Sequence, residues 1–590
     1  MKPRTRPFDI RARLWAVGGF LGLAGLALVA RAVDLQLLNN DFYQQQGDAR
    51  FLREIPIPVS RGTIFDRNGE PLAISSPVES IWANPKELLA HPDRLPQLAG
   101  ALNMPLEPLT QRIAQRADRE FVYLRRHMNP DQAERIIDLG IPGVYSQREF
   151  RRFYPLGEVM AHVLGFTNID DRGQEGLELA FDDWLTGKPG AKRVIRDRRG
   201  RIVENVDLVR AAEPGRDLVL SLDRRIQYLA YRELKAALLE HRAAAGSVVI
   251  LDVPTGEVLA MVNAPSYNPN ARESAEPGSQ RNRAVTDVFE PGSVIKAFTV
   301  AAALESGKFT PASSFDTSPG YMPLARHVIR DVRNFGVVDM TRLLTKSSNI
   351  ASTKIALELS NEQFYEVLRK FGFGDATGAG FPGESSGVLP TPRSWGILEK
   401  ATISYGYGLS MTPLQIAQAY AALGNAGVLM PPTFVKGAQA PGRQAVSPQV
   451  ARTVVGMLET VTGPEGTAQR ARVQGYRVAG KSGTSRKASV GGYQKRYLSL
   501  FAGLVPASNP RLAMVVIIDD PQGRDYYGGL VAAPVFARVM DGALRLLDVP
   551  PDQAEQWYVA LPPAPPPEMS AELPADIEPL PEFVGGAGPE

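Results

Sequence analysis

"FEPGSVIKAF", residues 289–298, places a serine three positions ahead of a lysine, directly after a Pro-Gly pair. Alone, Ser293-Val294-Ile295-Lys296 is the start of a buried helix with an incidental serine, since a Ser near a helix start is commonly a cap. The run "SVIKAFTVAAALESG" predicts an apolar helix closed by Gly307, with Val294, Ile295 and Phe298 in the core. Ser293 then sits on the first turn, where free N–H groups and the helix dipole favour developing negative charge. Lys296, one turn along, shares its face. A Ser hydroxyl is a weak nucleophile until a base takes its proton. Lys is such a base only when burial or a nearby cation lowers its pKa.

Two later stretches supply what this pair lacks. "KSSN" gives Ser347-x-Asn349, and "KSGT" gives Lys481-Ser482-Gly483-Thr484, 54 and 188 residues after Ser293 respectively. The Ser-x-Asn pattern is weak by itself, because Ser266-Tyr267-Asn268 fits it equally. Lys481, on a strand beside the Ser293 helix, is the expected nearby cation. Gly483 is expected to leave that strand face open to a substrate backbone. Ser482 and Thr484 offer hydroxyls to a carboxylate. The N–H of Ser293 and one near Thr484 can form an oxyanion hole. Ser347 and Asn349 complete the wall, relaying a proton and holding a substrate amide.

Other chemistries find less support. With no Cys, disulfide, thiolate and zinc–cysteine chemistry are excluded. Of the five His, four precede the Ser293 helix, so a Ser-His-Asp triad would rest on His327 in a loop-like stretch. No metal-ligand spacing and no phosphate-binding glycine loop occurs, so neither metal nor cofactor is expected. Lys and Arg number 66 against 63 Asp and Glu, and the net charge of +3 carries no nucleic-acid footprint. His162 in "MAHVLG" is expected to be a packed helix residue.

At 590 residues the chain exceeds one core, and roughly two to four domains are expected. "MKPRTRPFDIRAR" carries five cations against Asp9, and "LWAVGGFLGLAGLALVA" (14–30) is uncharged. Extended to Val33, this is a transmembrane helix over 14–33, since about 20 residues at ~1.5 Å each span the ~30 Å hydrocarbon core. The basic flank assigns residues 1–13 to the cytoplasm and the remainder to the outside. "ARA" at 30–32 resembles a signal-cleavage site, but the run is longer than the usual ~7–15-residue signal core, so a retained anchor is expected.

Residues 34–215 are irregular and rich in Arg and Pro. Asp66-Arg67-Asn68-Gly69 predicts a hairpin turn, and 149–166 and 173–190 predict a helix entered after Pro155 and a second one closed by Gly187. From about 216 to 548 the pattern is helix, two strands around Pro254-Thr255-Gly256, a long helical insertion, three strands and a last helix. That order describes an α+β domain. Residues 549–590, without Lys or Arg and rich in Pro, predict a disordered tail.

With the three motifs in this order, the chain resembles a serine penicillin-recognising enzyme. Ser-Ser-Asn and Lys-Ser-Gly suit a transpeptidase better than a class A β-lactamase, and no Glu-x-x-x-Asn lies between Ser347 and Lys481. "RGTIFDRNG", "RFYP" with "AHVLGF", and "GQEGLE" are similar to the N-terminal module of class B penicillin-binding proteins. "TKSSNIASTKIAL" and "SYGYGLSMTPLQIAQAYAALGN" resemble the division-specific septal peptidoglycan transpeptidases of that family.

The resemblance implies a central antiparallel sheet flanked by helices with a helical subdomain (216–548), an elongated pedestal (34–215) and one membrane helix. It implies acylation of Ser293 by a stem-peptide D-Ala carbonyl and Lys296 as its base. Ser347 and Asn349 would assist proton transfer, while Lys481, Ser482, Gly483 and Thr484 bind the terminal carboxylate. It further implies β-lactams as inhibitors, a single-pass inner-membrane location with a periplasmic catalytic domain, and a septal SEDS-family glycosyltransferase and other divisome proteins as partners. An elongation-specific transpeptidase, a DD-carboxypeptidase and a divisome scaffold or activator are the alternative readings.

Overall fold

The computed structural model describes residues 10–34, 52–196, 202–489 and 492–553. Helix α1 (Ile10–Val33) contains the 21-residue stretch Arg13–Val33, with mean hydropathy 1.9 and no buried part. Among the described residues it is the one helix long and apolar enough to cross a membrane.

The first module is built on two small sheets. Leu52–Ile57, Gly190–Arg196 and Ile202–Arg210 form one antiparallel sheet. In the other, Pro71–Ala83 is flanked by Val122–Met128 and Val144–Phe153. The expected hairpin is present. Ile64–Phe65 pairs with Pro71–Ala83 across a turn in which Asp66 Oδ1 accepts from Asn68 N (2.8 Å) and Glu70 N (2.9 Å).

The two helices expected next are replaced by something shorter. Residues 149–153 finish the strand Val144–Phe153, and only single turns follow at Gly157–Val159 and Ala161–Leu164. The second region gives Gly176–Ala180 and Asp182–Leu185, ending before Gly187. The long partner strand Pro71–Ala83 captures 149–153, and buried charge organises the short turns. Glu178, fully enclosed, accepts from Arg61 Nε (2.7 Å) and Arg152 Nε (2.6 Å), and Asp182 accepts from Arg61 Nη1 (2.6 Å). His162 is packed in the core with Nε2 2.6 Å from the Ser279 carbonyl, and burial takes its pKa down to about 4.

Chain entry to this module and exit from it lie side by side. Gly62 N donates to Leu185 O (2.8 Å), Gly215 N to Ser60 O (3.0 Å) and Leu218 N to Thr63 O (2.9 Å). Ile64–Phe65 and Leu218–Val219 pair in parallel. A Cβ on Gly62 would stand 1.9 Å from Arg216 O, and one on Gly215 1.8 Å from Leu185 O, so neither crossing tolerates a side chain.

The second module follows the expected order: α2 (Arg224–His241), β1 (Ala245–Asp252), β2 (Val258–Ala264), α3 (Lys296–Glu305), α4 (Met340–Lys346), α5 (Asn349–Glu358), α6 (Pro413–Gly424), α7 (Pro448–Thr462), β3 (Ala479–Ser489), β4 (Gly492–Val505), β5 (Leu512–Asp519) and α8 (Ala533–Leu546). The sheet runs β2-β1-β5-β4-β3, antiparallel throughout. Every residue of β1 and β2 is buried, as a strand covered on both faces requires. Helices α2 and α8 pack on each other and on one face, while α6 and α7 cover the other. β3 ends the sheet, and its free edge meets the turn carrying Ser293.

Within the helical insertion lies a hairpin of Tyr321–Leu324 and His327–Arg330, so His327 stands on a strand rather than in a loop. Burial of Leu324 and Ile329 gives that strand its inner face. Residues 549–553, expected in the tail, are bonded to the catalytic module: Val549 N donates to Leu544 O, and Gln553 N donates to Gly475 O. The rest of the tail, 554–590, lies outside the described residues.

Candidate active site

Pro291 and Gly292 (φ +57) turn the chain into a 3₁₀ turn, Gly292–Ile295, that runs directly into α3. Gly292 N is fixed by Gly406 O (3.0 Å). Val294, Ile295 and Phe298 anchor the turn below. Tyr420 Oη donates to Val294 O (2.9 Å), and Phe298 meets Phe371, Phe373 and Tyr420 at ring distances of 4.8, 4.9 and 5.4 Å. Ser293 is left partly exposed above this packing, on the first turn as expected.

Lys296 is wholly buried. Its Nζ lies 2.6 Å from Ser347 O, 3.1 Å from Ser347 Oγ and 2.7 Å from Asn349 Oδ1. Ser347 reaches it because it adopts the left-handed conformation (φ +59) at the junction of α4 and α5, a conformation costing a non-glycine residue about 1 kcal/mol. The junction is held by a residue that local pattern did not single out. Asp331 accepts from Ser348 Oγ (2.6 Å), Asn349 N (2.5 Å) and Ile350 N (3.1 Å), capping α5. Asn349 Nδ2 donates to Arg330 O (2.9 Å). Asp331 lies 17 residues before Ser348 in an irregular loop, so no periodicity marks it.

Lys481 is also wholly buried, at the start of β3, with Nζ 2.9 Å from Ser482 O. Burial takes its pKa from 10.5 down to about 7. Burial also drives Lys296 well below the ordinary lysine range; the Lys481 charge adds to this, and Asp331 opposes it. The two lysines thus share one enclosed site. Ser482 Oγ lies 2.9 Å from Thr467 Oγ1, and Thr484 Oγ1 accepts from Gly528 N (3.0 Å). Thr467, in the loop before β3, is a second residue the motifs do not reveal.

Gly483 has a packing role that the sequence does not reveal. Its missing side chain leaves room for the Ser293 turn: a Cβ would stand 3.0 Å from Pro291 O and 3.1 Å from Val294 Cγ1. The glycine lets the strand and the Ser293 turn approach each other.

Residues 246–541 match the penicillin binding protein transpeptidase domain, half of the chain. The chain belongs to this family. Residues 56–220 match the penicillin-binding protein dimerisation domain. The chain is 46% identical over 535 residues to the probable peptidoglycan D,D-transpeptidase PbpC of Pseudomonas aeruginosa, covering 90% of this chain and 95% of the relative. It is 44% identical over 541 residues to the peptidoglycan D,D-transpeptidase FtsI of Escherichia coli K12, covering 90% and 92%. Among solved structures, a peptidoglycan synthetase from Bifidobacterium adolescentis superposes with TM-score 0.68 at 25% identity, covering 85% of this chain and 97% of that one. The transpeptidase domain of Burkholderia pseudomallei penicillin-binding protein 3 gives TM-score 0.52 at 42% identity over 56% of this chain and 97% of that one. Penicillin-binding transpeptidases thus share with this chain the α+β catalytic fold and the module before it.

Proposed function

We propose that this chain is a peptidoglycan D,D-transpeptidase of the division septum, acylated at Ser293 and inhibited by β-lactams at the same atom. The observation carrying this reading is Lys296: buried, beside a second buried lysine, and held by Ser347 and Asn349. A lysine so placed is neutral far below its ordinary range and can take a proton.

Neutral Lys296 takes the Ser293 hydroxyl proton as Oγ attacks the penultimate D-Ala carbonyl of a stem peptide. The N–H groups of Ser293 and Thr484 hold the oxyanion. The ester C–O bond forms, the peptide C–N bond breaks, and the proton passes to the leaving amine of terminal D-Ala. Ser347 Oγ can relay that proton, because a hydroxyl both donates and accepts. An amine of a second stem then attacks the ester. A new C–N bond forms, the C–O bond breaks, and the amine's proton returns to Ser293 Oγ. Lys481, Ser482 and Thr484 bind the terminal carboxylate of the donor, with Gly483 keeping their strand against Ser293.

Under this reading α1 anchors the chain in the inner membrane, with residues 1–13 cytoplasmic, supported by five cations in that segment. The module 34–215 is a pedestal, 216–548 is the periplasmic catalytic domain, and a SEDS-family glycosyltransferase and other divisome proteins are partners. Fluorescent penicillin should label the full chain and fail to label Ser293→Ala; persistent labelling of that variant overturns the assignment. Depletion in the host should block septation and give filaments. Round cells would transfer the role to elongation.

A further inference from the structure

The rim of the site beside Ser347 carries cations that no described carboxylate pairs. Arg330 and Arg333 lie at the end of the hairpin Tyr321–Leu324/His327–Arg330 and in the loop after it, and Arg342 projects from α4. All three are exposed. Arg330 lies over Tyr321 (5.7 Å) and Arg333 over Phe335 (5.6 Å); among the described residues none of the three side chains has an ion-pair partner.

The acids nearby are already committed. Asp331, the one acid between Asp316 and Asp339, is turned inward onto Ser348 and Asn349. Asp339 caps α4 by accepting from Arg342 N (2.7 Å). Glu465 is held by Lys346 Nζ (3.0 Å), and Arg342 and Arg333 both act on it through space.

This rim is built into the catalytic wall. Arg330 O accepts from Asn349 Nδ2, and Asn349 Oδ1 accepts from Lys296 Nζ, so Arg330 stands two hydrogen bonds from the general base. Lys346 adjoins Ser347, and the Glu465 loop runs on to Thr467 at Ser482. The donor carboxylate has its own place on β3. Transfer needs a second peptide, which also ends in a carboxylate, on the side β3 does not occupy. Guanidinium groups meet carboxylates in bidentate fashion, which orients as well as attracts.

We propose that Arg330, Arg333 and Arg342 form the docking rim for the carboxylates of the acceptor stem peptide. This rests on the transpeptidase reading above. The rim sets the partition of the acyl-enzyme between transfer and hydrolysis and leaves its formation untouched.

The test uses the full chain in detergent micelles, a thioester donor ending in a carboxylate, and a synthetic acceptor peptide with a free amine, supplied with its C-terminus either free or amidated. For the unsubstituted protein, amidating the acceptor should lower the ratio of coupled to hydrolysed product about tenfold, the size of one charge-assisted hydrogen bond. Arg333→Gln with Arg342→Gln should lower it several-fold with the free acid and weaken the response to amidation. Penicillin labelling of this variant should stay within twofold, which also reports that it is folded. A ratio unchanged by amidation in the unsubstituted protein overturns the proposal without using any variant. So does a variant that keeps both the ratio and its response to amidation. Failure of penicillin to label Ser293 would instead strike the transpeptidase reading itself.

Discussion

Gly483→Ala separates two accounts of the glycine in the Lys-Ser-Gly-Thr strand. The added Cβ would meet Pro291 O at 3.0 Å, Val294 Cγ1 at 3.1 Å and Leu500 Cβ at 3.4 Å. Opening the tightest contact to ordinary separation requires about 0.4 Å of movement between β3 and the Ser293 turn. Little of that can be absorbed behind the strand, where Gly528 is packed so closely that its own Cβ would stand 2.2 Å from Gly483 O. Overpacking of this kind costs about 2 kcal/mol, which lowers Tm by roughly 3 °C in a domain of this size. A misplacement near half an ångström between nucleophile and carboxylate site should slow acylation about tenfold. Stopped-flow acylation by fluorescent penicillin, alongside a thermal melt, measures both. If the glycine served only to admit substrate, acylation would fall while Tm stayed put. An unchanged Tm would refute the packing account, and an unchanged acylation rate would refute the coupling of strand position to Ser293.

Lys481→Met should stabilise the protein while abolishing efficient acylation. The native pKa of Lys481, about 7, lies below its ordinary 10.5. Between those values the unfolded chain binds more protons, so this lysine's penalty is full below pH 7 and fades as pH rises to 10.5. The gain in Tm should follow that course in melts at pH 6, 8 and 10. Residual acylation in this variant should begin at higher pH, because the charge that helps depress Lys296 is gone. Asp331→Asn should slow acylation about tenfold by loosening the α4–α5 junction. It should also move the rising limb of the pH–rate profile to lower pH, since Asp331 holds the Lys296 pKa up. Glu178→Ala leaves Arg61 and Arg152 buried without their common partner and should cost about 3–5 kcal/mol, read as a lowered midpoint in urea.

The elements of the catalytic module were legible because their apolar patterns are long and their turns carry glycine or proline. α2, β1 and β2 lie where periodicity placed them, and so does the Ser293 turn. In the first module, "EFRRFYP" looked like the approach to a helix, yet residues 149–153 complete a strand whose partner lies about 75 residues earlier in the chain. Strand pairing over that distance leaves no local mark. The same holds for Asp331, whose three acceptor bonds reach a junction 17 to 19 residues on. The motif serine and lysines could be found in the sequence because their spacing is local, whereas the residues that aim them are spread over distant loops. Gly483 was legible as a glycine needed for close approach, and its missing side chain also makes room for the protein's own Pro291 and Val294.

The adjacent crossings at Gly62 and Gly215 decide how tension would pass through the molecule. Because residues 62–65 and 215–219 are bonded side by side, the lobe between 72 and 153 lies on a loop of chain closed at that crossing. A pull on Leu52 would first load the antiparallel pairing of Leu52–Ile57 with Gly190–Arg196, and then the parallel contact of Ile64–Phe65 with Leu218–Val219 and the bonds at Gly62 and Gly215. While those pairings hold, chain tension bypasses the lobe.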